Sequence, residues 1–169
     1  MARLEDYSES VRSHMLKLPC PTFDSTPFKN PSPLKDMRVA VVSTAGLHQR
    51  DDRPFGMGAS DYRLIHKNSD ANELVMSHIS TNFYRTGYQQ DLNVVFPLDR
   101  LHELEVQGII GSVAEYHYSF MGATDPQKME SAISDLSEVM KKDAVTSVLL
   151  VPVCQNCTRV VSVLGHYLE

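Results

Sequence analysis

The sequence predicts a single-domain α/β fold in which a largely parallel sheet is flanked by helices, in the doubly wound layering of Rossmann and flavodoxin folds. Two segments, 38–43 and 148–153, are continuous apolar runs without polar alternation, which is typical of parallel strands covered on both faces. Between them, segments 99–107 and 126–142 carry apolar residues at helical spacing. At least two strand–helix–strand units therefore follow one another, and such units form parallel sheets with right-handed crossovers.

Composition limits the classes of protein to which the chain could belong. Its 169 residues, 42% hydrophobic and 22% charged, suit one globular domain, and a domain of this size buries about 70% of its unfolded surface. A net charge of −5, with no run of Lys or Arg longer than two, argues against a nucleic-acid partner. The chain has no apolar run of transmembrane length, no signal-peptide core and an odd number of cysteines, three. We expect a cytoplasmic protein with reduced thiols and no membrane contact.

The first part of the chain predicts a helix and an arm. Apolar residues recur at helical spacing over 4–18, and Pro19 ends that pattern. Five prolines punctuate residues 19–36, which predicts an extended arm laid over the core or over a neighbouring subunit. We therefore divide the chain into a helix and proline-rich arm, 1–36, and an α/β redox domain, 37–169, and expect a homo-oligomer. Cys20, between two prolines, is interpreted as a packed bystander.

The loop after the first strand, 43–48, is the first candidate for a binding site. Its small hydroxyl residues and Gly46 allow backbone amides to approach an anionic group, although the spacing is not that of a nucleotide-binding fingerprint. His48 is the histidine we assign to catalysis. The alternative is that His48 only forms structural hydrogen bonds, as most single loop histidines do.

The middle of the chain predicts shorter elements. We expect a strand at 62–66, an apolar segment at 74–78 ending in Ser77 and His78, and a strand at 93–97. The helix at 99–107 should stop at Gly108, and residues 109–122 hold a break, a strand or both. The helix at 126–142 opens at Asp125-Pro126 and leads to the strand at 148–153.

The last strand runs directly into Cys154-Gln-Asn-Cys157, and apolar residues at helical spacing follow. We expect strand 148–153 to be central in the sheet, strand 38–43 to lie beside it or one strand away, and the following helix to be capped from Asn156 or Thr158. The cysteines then lie on a strand-to-helix turn at the carboxyl edge of the sheet, where α/β proteins bind ligands.

This location favours thiol chemistry. Helix amides and a nearby cation such as Arg159 lower a thiol pKa, and Cys157 is placed to close a disulfide onto the group that Cys154 attacks. We assign the attack to Cys154 because it lies nearer the strand end and is less sheltered. Two other readings stay open: a pair of zinc ligands, for which the sequence offers no second pair, and two inert buried thiols.

Six segments, taken in this order, resemble the selenoprotein B component of glycine, sarcosine and betaine reductases and the related selenoprotein of D-proline reductase. They are VSTAGLH at 42–48, SDYR at 60–63, SH at 77–78, NVVFPLDRL at 93–101, YSFMG at 118–122 and VLLVPVCxxC at 148–157. The resemblance implies a redox function in which Cys154 stands where the family has selenocysteine, the residue that attacks the substrate's reducible bond. It also implies a pyruvoyl-bearing partner subunit. Cysteine is a weaker nucleophile than selenocysteine at neutral pH.

Two functions follow as hypotheses. The first is a thiol-dependent reductase of the C–N-cleaving type, in which Cys154 attacks a small-molecule substrate, Cys157 resolves the adduct, and His48 or His78 protonates the leaving group. An external dithiol or a thioredoxin-like reductant regenerates the pair, and no metal or bound cofactor is expected. The second is a non-catalytic small-molecule-binding or regulatory domain. The residues assigned to substrate contact are Ser43, Thr44, Gly46, Arg63, Ser77, His78, Ser119 and Arg159.

Overall fold

The computed structural model describes residues 4–17, 22–24, 30–80, 83, 85–154 and 157–168. Its helices are α1 (Glu9–Lys17), α2 (Arg85–Gln90), α3 (Leu98–Val106), α4 (Glu130–Lys142) and α5 (Cys157–Tyr167). Its strands are β1 (Arg38–Ser43), β2 (Leu47–Gln49), β3 (Tyr62–His66), β4 (Leu74–Met76), β5 (Ser112–Val113), β6 (Tyr116–Phe120) and β7 (Ser147–Val151). Short 3-10 helices lie at Leu4–Asp6, Leu34–Asp36, Ala71–Glu73, Leu92–Val94 and Pro126–Met129.

The α/β class is confirmed, but the sheet is mixed. Strands β5, β6 and β7 all pair in parallel with β1, whereas β3 pairs antiparallel with β6, and β2 and β4 form a separate antiparallel pair. The expectation of a largely parallel sheet is therefore replaced by a mixed one. The Rossmann- or flavodoxin-like layering and the division at residue 36 stay predictions.

Strand β1 is the centre of the sheet. It pairs with β7 along one side and with β5 and β6 on the other. Its alternate residues enter two different clusters: Ala40 and Val42 pack with the apolar faces of α4 and α5, and Val39 and Val41 pack with that of α3. An inside strand that is buried on both faces has the continuous apolar sequence that predicted it.

The expectation that strand 148–153 is central is wrong. Among the strands that the structure describes, β7 pairs with β1 alone, and its Leu149 is 39% exposed. The ladder ends at Val151 because Pro152, next along the chain, has no N–H to donate. The apolar run therefore marks an edge strand beside the central one.

The segment 93–97 is also not a strand. The Asp91 side chain accepts a hydrogen bond from the Asn93 N–H and starts the 3-10 helix Leu92–Val94, a local arrangement that competes with strand pairing. The apolar side chains of Val95 and Phe96 are buried against the α3 side of the sheet without joining it. Residues 109–122 hold both of the predicted features, a break and two short strands.

The break between β5 and β6 is closed by a side chain. β1 pairs with β5 at Arg38 and Val39 and with β6 at Val42 and Ser43, and the Val41 N–H between them donates to Nδ1 of His117 at 3.0 Å. His117 is fully buried, and burial lowers its pKa from 6.5 to about 4. The ring is therefore neutral at pH 7 and replaces a missing ladder partner.

The remaining helices follow the predictions with two differences. The N-terminal helix spans Glu9–Lys17 after a short 3-10 helix, and parts of the proline-rich arm, 19–21 with Cys20 and 25–29, lie outside the described residues. α5 begins at Cys157, so Thr158 lies inside the helix and is not its cap, and Asn156 lies outside the described residues. No helix among the described residues has the length and apolar character needed to cross a bilayer.

Candidate thiol site

The register of the parallel strands brings three loops to one edge of the sheet. Ser43, the last residue of β1, lies opposite Val151 of β7 and Ser119 of β6. The residues that follow these strands therefore meet, and they include Thr44, Gly122 and Cys154. The segment that carries Cys154 thus leaves the sheet at the same end as Ser43, as the sequence predicts.

Cys154 and Cys157 face each other across a tight turn. The Cys157 N–H donates to the Cys154 carbonyl at 3.0 Å, and the Cys154 N–H donates to the Cys157 sulfur at 3.0 Å. The two Sγ atoms are 2.7 Å apart, and neither cysteine is part of a disulfide. Cys154 is 6% exposed and Cys157 is fully buried, so the order of exposure is the predicted one but neither thiol is open to solvent.

His78 reaches the cysteine pair from the loop after β4. Its Nε2 lies 3.5 Å from the Cys157 sulfur, and its Nδ1 accepts a hydrogen bond from the Ser80 N–H at 3.1 Å. An Nδ1 that accepts has no proton, so this network assigns the proton of a neutral ring to Nε2. His78 therefore donates an N–H toward the sulfur of Cys157.

Gly122 and the Thr44 side chain fix the surroundings of the cysteine turn. A Cβ on Gly122 would overlap the sulfur of Cys157 and lie 2.7 Å from Cβ of Thr44, so only glycine fits there. Thr44 joins the edge to β7, because its hydroxyl donates to the Val151 carbonyl and accepts from the Val153 N–H, both at 3.1 Å. The chain on both sides of Pro152, just before the cysteine turn, is thereby fixed.

These contacts change the acidity of one thiol. The pKa of Cys157 is lowered from 9.0 to about 4, chiefly by the hydrogen bond with the Cys154 thiol and also by hydrogen bonds with His78, Thr44 and the Cys154 backbone, which together outweigh burial. As first residue of α5, Cys157 also lies where helix amides favour a negative charge. Cys157 is therefore a thiolate at pH 7.

A metal ion is the alternative occupant of this site. The ligand atoms of His78, Cys154 and Cys157 lie within 4.8 Å of one another, and His78 supplies a third candidate ligand that the sequence did not indicate. Zinc binds the unprotonated nitrogen of histidine and takes four ligands. Because the Ser80 N–H leaves the proton on Nε2, the nitrogen that faces the sulfur is a donor, and this arrangement fits a thiolate better than a cation.

His48 is engaged elsewhere. Its Nε2 contacts the Ser77 hydroxyl and its Nδ1 the Gln49 carbonyl, both at 2.6 Å. The predicted site residues His48 and Ser77 are thus brought together as a hydrogen-bonded pair, while His78 is the histidine beside the cysteines. Gly46, at φ 64°, accepts the Ser77 N–H and packs so closely that a Cβ there would lie 3.2 Å from the His78 backbone nitrogen.

Three further predicted contacts have structural partners. The Ser43 hydroxyl donates to the Val95 carbonyl, and the Ser119 hydroxyl accepts the Leu47 N–H, both at 2.7 Å. Arg63 is 7% exposed, donates to Asp61 and lies over the Phe55 ring. These three side chains hold the loops that surround the sheet edge, and their role as substrate contacts stays a prediction.

Comparison with known proteins decides the family. Residues 10–153 match the family described as glycine/sarcosine/betaine reductase selenoprotein B. The chain belongs to this family. Relatives include D-proline reductase subunit gamma of Acetoanaerobium sticklandii, 31% identical over 140 residues, which are 80% of this chain and 57% of that protein.

Two further relatives in the selenoprotein B family are components of reductase complexes. Sarcosine reductase complex component B subunit beta of Peptoclostridium acidaminophilum is 30% identical over 151 residues, and glycine reductase complex component B subunit gamma of Symbiobacterium thermophilum is 29% identical over 150. Each alignment covers 83% of this chain and 34% of the relative. The chain thus spans only part of the length of these relatives. No solved structure matches significantly.

The family match ends at Val153, one residue before the cysteine pair. Sequence reasoning nevertheless located both cysteines, Thr44 and His78. It missed Gly122 as a site residue, although a glycine directly after a buried strand is a signal of close backbone approach. The Ser80 N–H carries no sequence signal, because a backbone group is the same in every residue.

Arg159, the cation expected beside the thiols, faces a different space. It lines a cavity of about 350 Å³ together with Phe23, Asp125, Glu130 and His166. Its Nε is buried without a hydrogen-bond partner among the described residues. The low pKa of Cys157 is thus explained by contacts other than Arg159.

Proposed function

We propose that the chain is a thiol-dependent oxidoreductase of the reductive, C–N-cleaving type, with Cys154 as the attacking thiol and Cys157 as the resolving one. The observation that carries the proposal is the pair itself: two sulfurs 2.7 Å apart, not joined in a disulfide, at the carboxyl edge of the sheet, one of them with its pKa lowered to about 4. Such a pair has the reactive thiolate and the short reach that disulfide formation needs.

The reaction balances with the pair as the source of electrons. A substrate R–X, the Cys154 thiol, the Cys157 thiolate and one proton from solvent give R–H, H–X and one disulfide, so the cysteines lose two electrons and one proton. When Cys157 closes the disulfide, R leaves Cys154 with the S–R bonding pair and takes the solvent proton. An external dithiol then reduces the disulfide by exchange. In this proposal Cys154 forms the bond to the substrate because its sulfur is the less buried, and Cys157 closes the disulfide.

Partner subunits are part of the proposal. The matched relatives are named as subunits of D-proline, sarcosine and glycine reductases, and the chain covers 34–57% of their lengths. We infer that further chains, including a pyruvoyl-type subunit, complete the substrate site. A homo-oligomer formed through the proline-rich arm and a reducing, cytoplasmic location belong to the same proposal.

The first experiment tests the redox pair. The reduced protein is treated with one equivalent of a thiol oxidant, and the mass and tryptic peptides are measured before and after addition of a dithiol. We expect a Cys154–Cys157 disulfide that forms and is reduced again, and none in Cys154→Ala or Cys157→Ala. Thiols that stay free under oxidant, with the fold intact by circular dichroism, would contradict the proposal.

The second experiment tests turnover. Dithiol-dependent C–N cleavage is measured as amine release from glycine, sarcosine and betaine and as ring opening of D-proline, the compounds that the names of the relatives suggest. We expect cleavage of one of these substrates, in the presence of partner subunits, and its loss in Cys154→Ala. A Ser162→Ala variant, changed at an exposed hydroxyl of α5 that donates to the Thr158 carbonyl, serves as the matched control.

A non-catalytic binding domain is the second candidate. It is favoured by the burial of both sulfurs, 6% and 0% exposed. The two candidates differ in one result for the unmodified protein: a binding domain binds one of the same four compounds, measured by calorimetry, without dithiol-dependent turnover, whereas the reductase turns it over.

A further inference from the structure

The reduced pair holds one proton and one negative charge. Two thiolates 2.7 Å apart would repel each other strongly in a buried site. A proton on one sulfur removes this repulsion and forms a hydrogen bond to the other. Because the two sulfurs are in direct contact, the proton can pass between them without a water molecule or a further side chain.

The charge rests on Cys157. Its sulfur receives the Cys154 N–H at 3.0 Å and faces the protonated Nε2 of His78 at 3.5 Å. The Ser80 N–H keeps His78 in the donating tautomer. Cys157 is also the first residue of α5, where helix amides are unpaired. The Thr44 carbonyl, 3.8 Å from the Cys157 sulfur, can accept only from a thiol, but the two N–H donors lie closer, so the proton is assigned to Cys154, the sulfur with more access to a substrate.

We propose that Cys157 is the internal base for Cys154 and that His78 is the positioning residue that keeps the charge on Cys157. As Cys154 attacks, its S–H electron pair forms the bond to the electrophile, and the leaving group departs with its own bonding pair. The proton moves to Cys157, whose lone pair forms the new S–H bond. Cys157 then gives this proton to the leaving group and returns to the thiolate that can close the disulfide.

This inference rests on the proposed function only in taking Cys154 as the attacking thiol. It removes the need for a histidine base, which agrees with the placement of His48 against Ser77 and Gln49. It also predicts an unusual pH dependence. While the pair holds one proton, the fraction with Cys154 as thiolate does not change with pH, because moving the proton between the sulfurs exchanges none with solvent.

The test measures the rate of iodoacetamide addition to Cys154 by peptide mass spectrometry. For the unmodified protein we expect a rate that changes less than about twofold between about pH 6 and pH 8, since the proton only moves within the pair. In Cys157→Ser the rate should rise about tenfold per pH unit until the ordinary thiol pKa of about 8.5. His78→Leu should slow labelling at the acid end of the range, and His78→Gln, whose amide N–H can donate, should restore part of it.

If a variant does not fold, the pH profile of the labelling rate in the unmodified protein is sufficient to test the inference. A rate that rises tenfold per pH unit, or label predominantly on Cys157, would overturn the inference. Equal pH profiles of the labelling rate for His78→Leu and His78→Gln would show that His78 does not keep the charge on Cys157. Because alkylation measures no turnover, a flat profile without dithiol-dependent turnover would refute the proposed function alone, and a steep profile with turnover would refute the internal base alone.

Discussion

Gly122 is the residue whose missing side chain gives the Cys157 sulfur its place. Gly122 follows the end of β6, and its N–H also donates to the Thr44 carbonyl at 3.2 Å. A side chain at this position would displace either the sulfur or the loop after β1. The acidity of Cys157 thus depends on a residue that has no functional group of its own.

We predict that Gly122→Ala destabilises the protein by about 1–3 kcal/mol, the usual cost of adding a methyl group to a close-packed site. It should also raise the pKa of Cys157, because the sulfur must move away from its donors. Denaturant unfolding and an ultraviolet thiolate titration measure the two effects.

Gly165→Ala is the matched control. A Cβ at Gly165, inside α5, would meet nothing closer than the Leu150 Cδ1 at 3.6 Å, an ordinary contact. This variant should be neutral, or more stable by up to about 1 kcal/mol, since alanine favours the helix. Equal losses of stability in the two variants would show that crowding at Cys157 is not the cause.

At the scale of elements, α4 ends in a Schellman motif that lacks its usual residue. The Val145 N–H donates to the Met140 carbonyl and the Ala144 N–H to the Lys141 carbonyl, and Val145 packs in the same cluster as Met140. Ala144 has φ 52°, the left-handed conformation in which glycine is strongly favoured. This turn directs the chain from α4 into β7, the strand that leads to the cysteines.

We predict that Ala144→Gly stabilises the protein by up to about 1 kcal/mol, because glycine has no Cβ to clash in that conformation. Ser134→Gly, at an exposed position inside α4, should instead cost about 0.5 kcal/mol through helix propensity. Thermal unfolding of both variants tests the contrast. A loss of stability in Ala144→Gly would mean that the strain is smaller than the added freedom of the unfolded chain.

The elements also show which sequence signals sufficed. Strands 38–43 and 62–66 and the helices at 98–106 and 130–142 have local patterns that no other part of the chain overrides. The prediction of a strand at 93–97 is wrong because Asp91 starts a 3-10 helix, and the apolar side chains are buried without strand pairing. The prediction that β7 is central is wrong because an apolar sequence indicates that the two faces of a strand are buried, and it does not indicate how many strands pair with it. His48 was chosen over His78 because tertiary distance has no sequence signal.

At the scale of the whole molecule, one buried histidine links stability to pH. The pKa of His117 is about 4 in the folded protein and 6.5 when unperturbed, since burial disfavours the charged ring. Between these values the unfolded chain binds a proton that the folded chain does not. Its contribution to the free energy of unfolding is therefore complete above pH 6.5 and is lost as the pH falls toward 4.

We predict that the free energy of unfolding falls more steeply from pH 6.5 to pH 4 in the unmodified protein than in His117→Asn. Asparagine keeps an acceptor at the δ position for the Val41 N–H but has no ring to titrate. Cys157, with its pKa also lowered, loses stability in the same direction in both proteins, so the difference isolates His117. Urea unfolding at several pH values gives the slopes, and parallel curves would contradict the assignment.

The chain contains no tryptophan, and the usual fluorescence signal for unfolding is therefore absent. The buried Cys157 thiolate supplies another, because a thiolate absorbs ultraviolet light that a thiol does not. Thr44, His78, Gly122 and α5 surround this sulfur from four distant parts of the sequence. Its absorbance near neutral pH is an optical reporter of correct assembly of the sheet edge, present in the natural chain without any label.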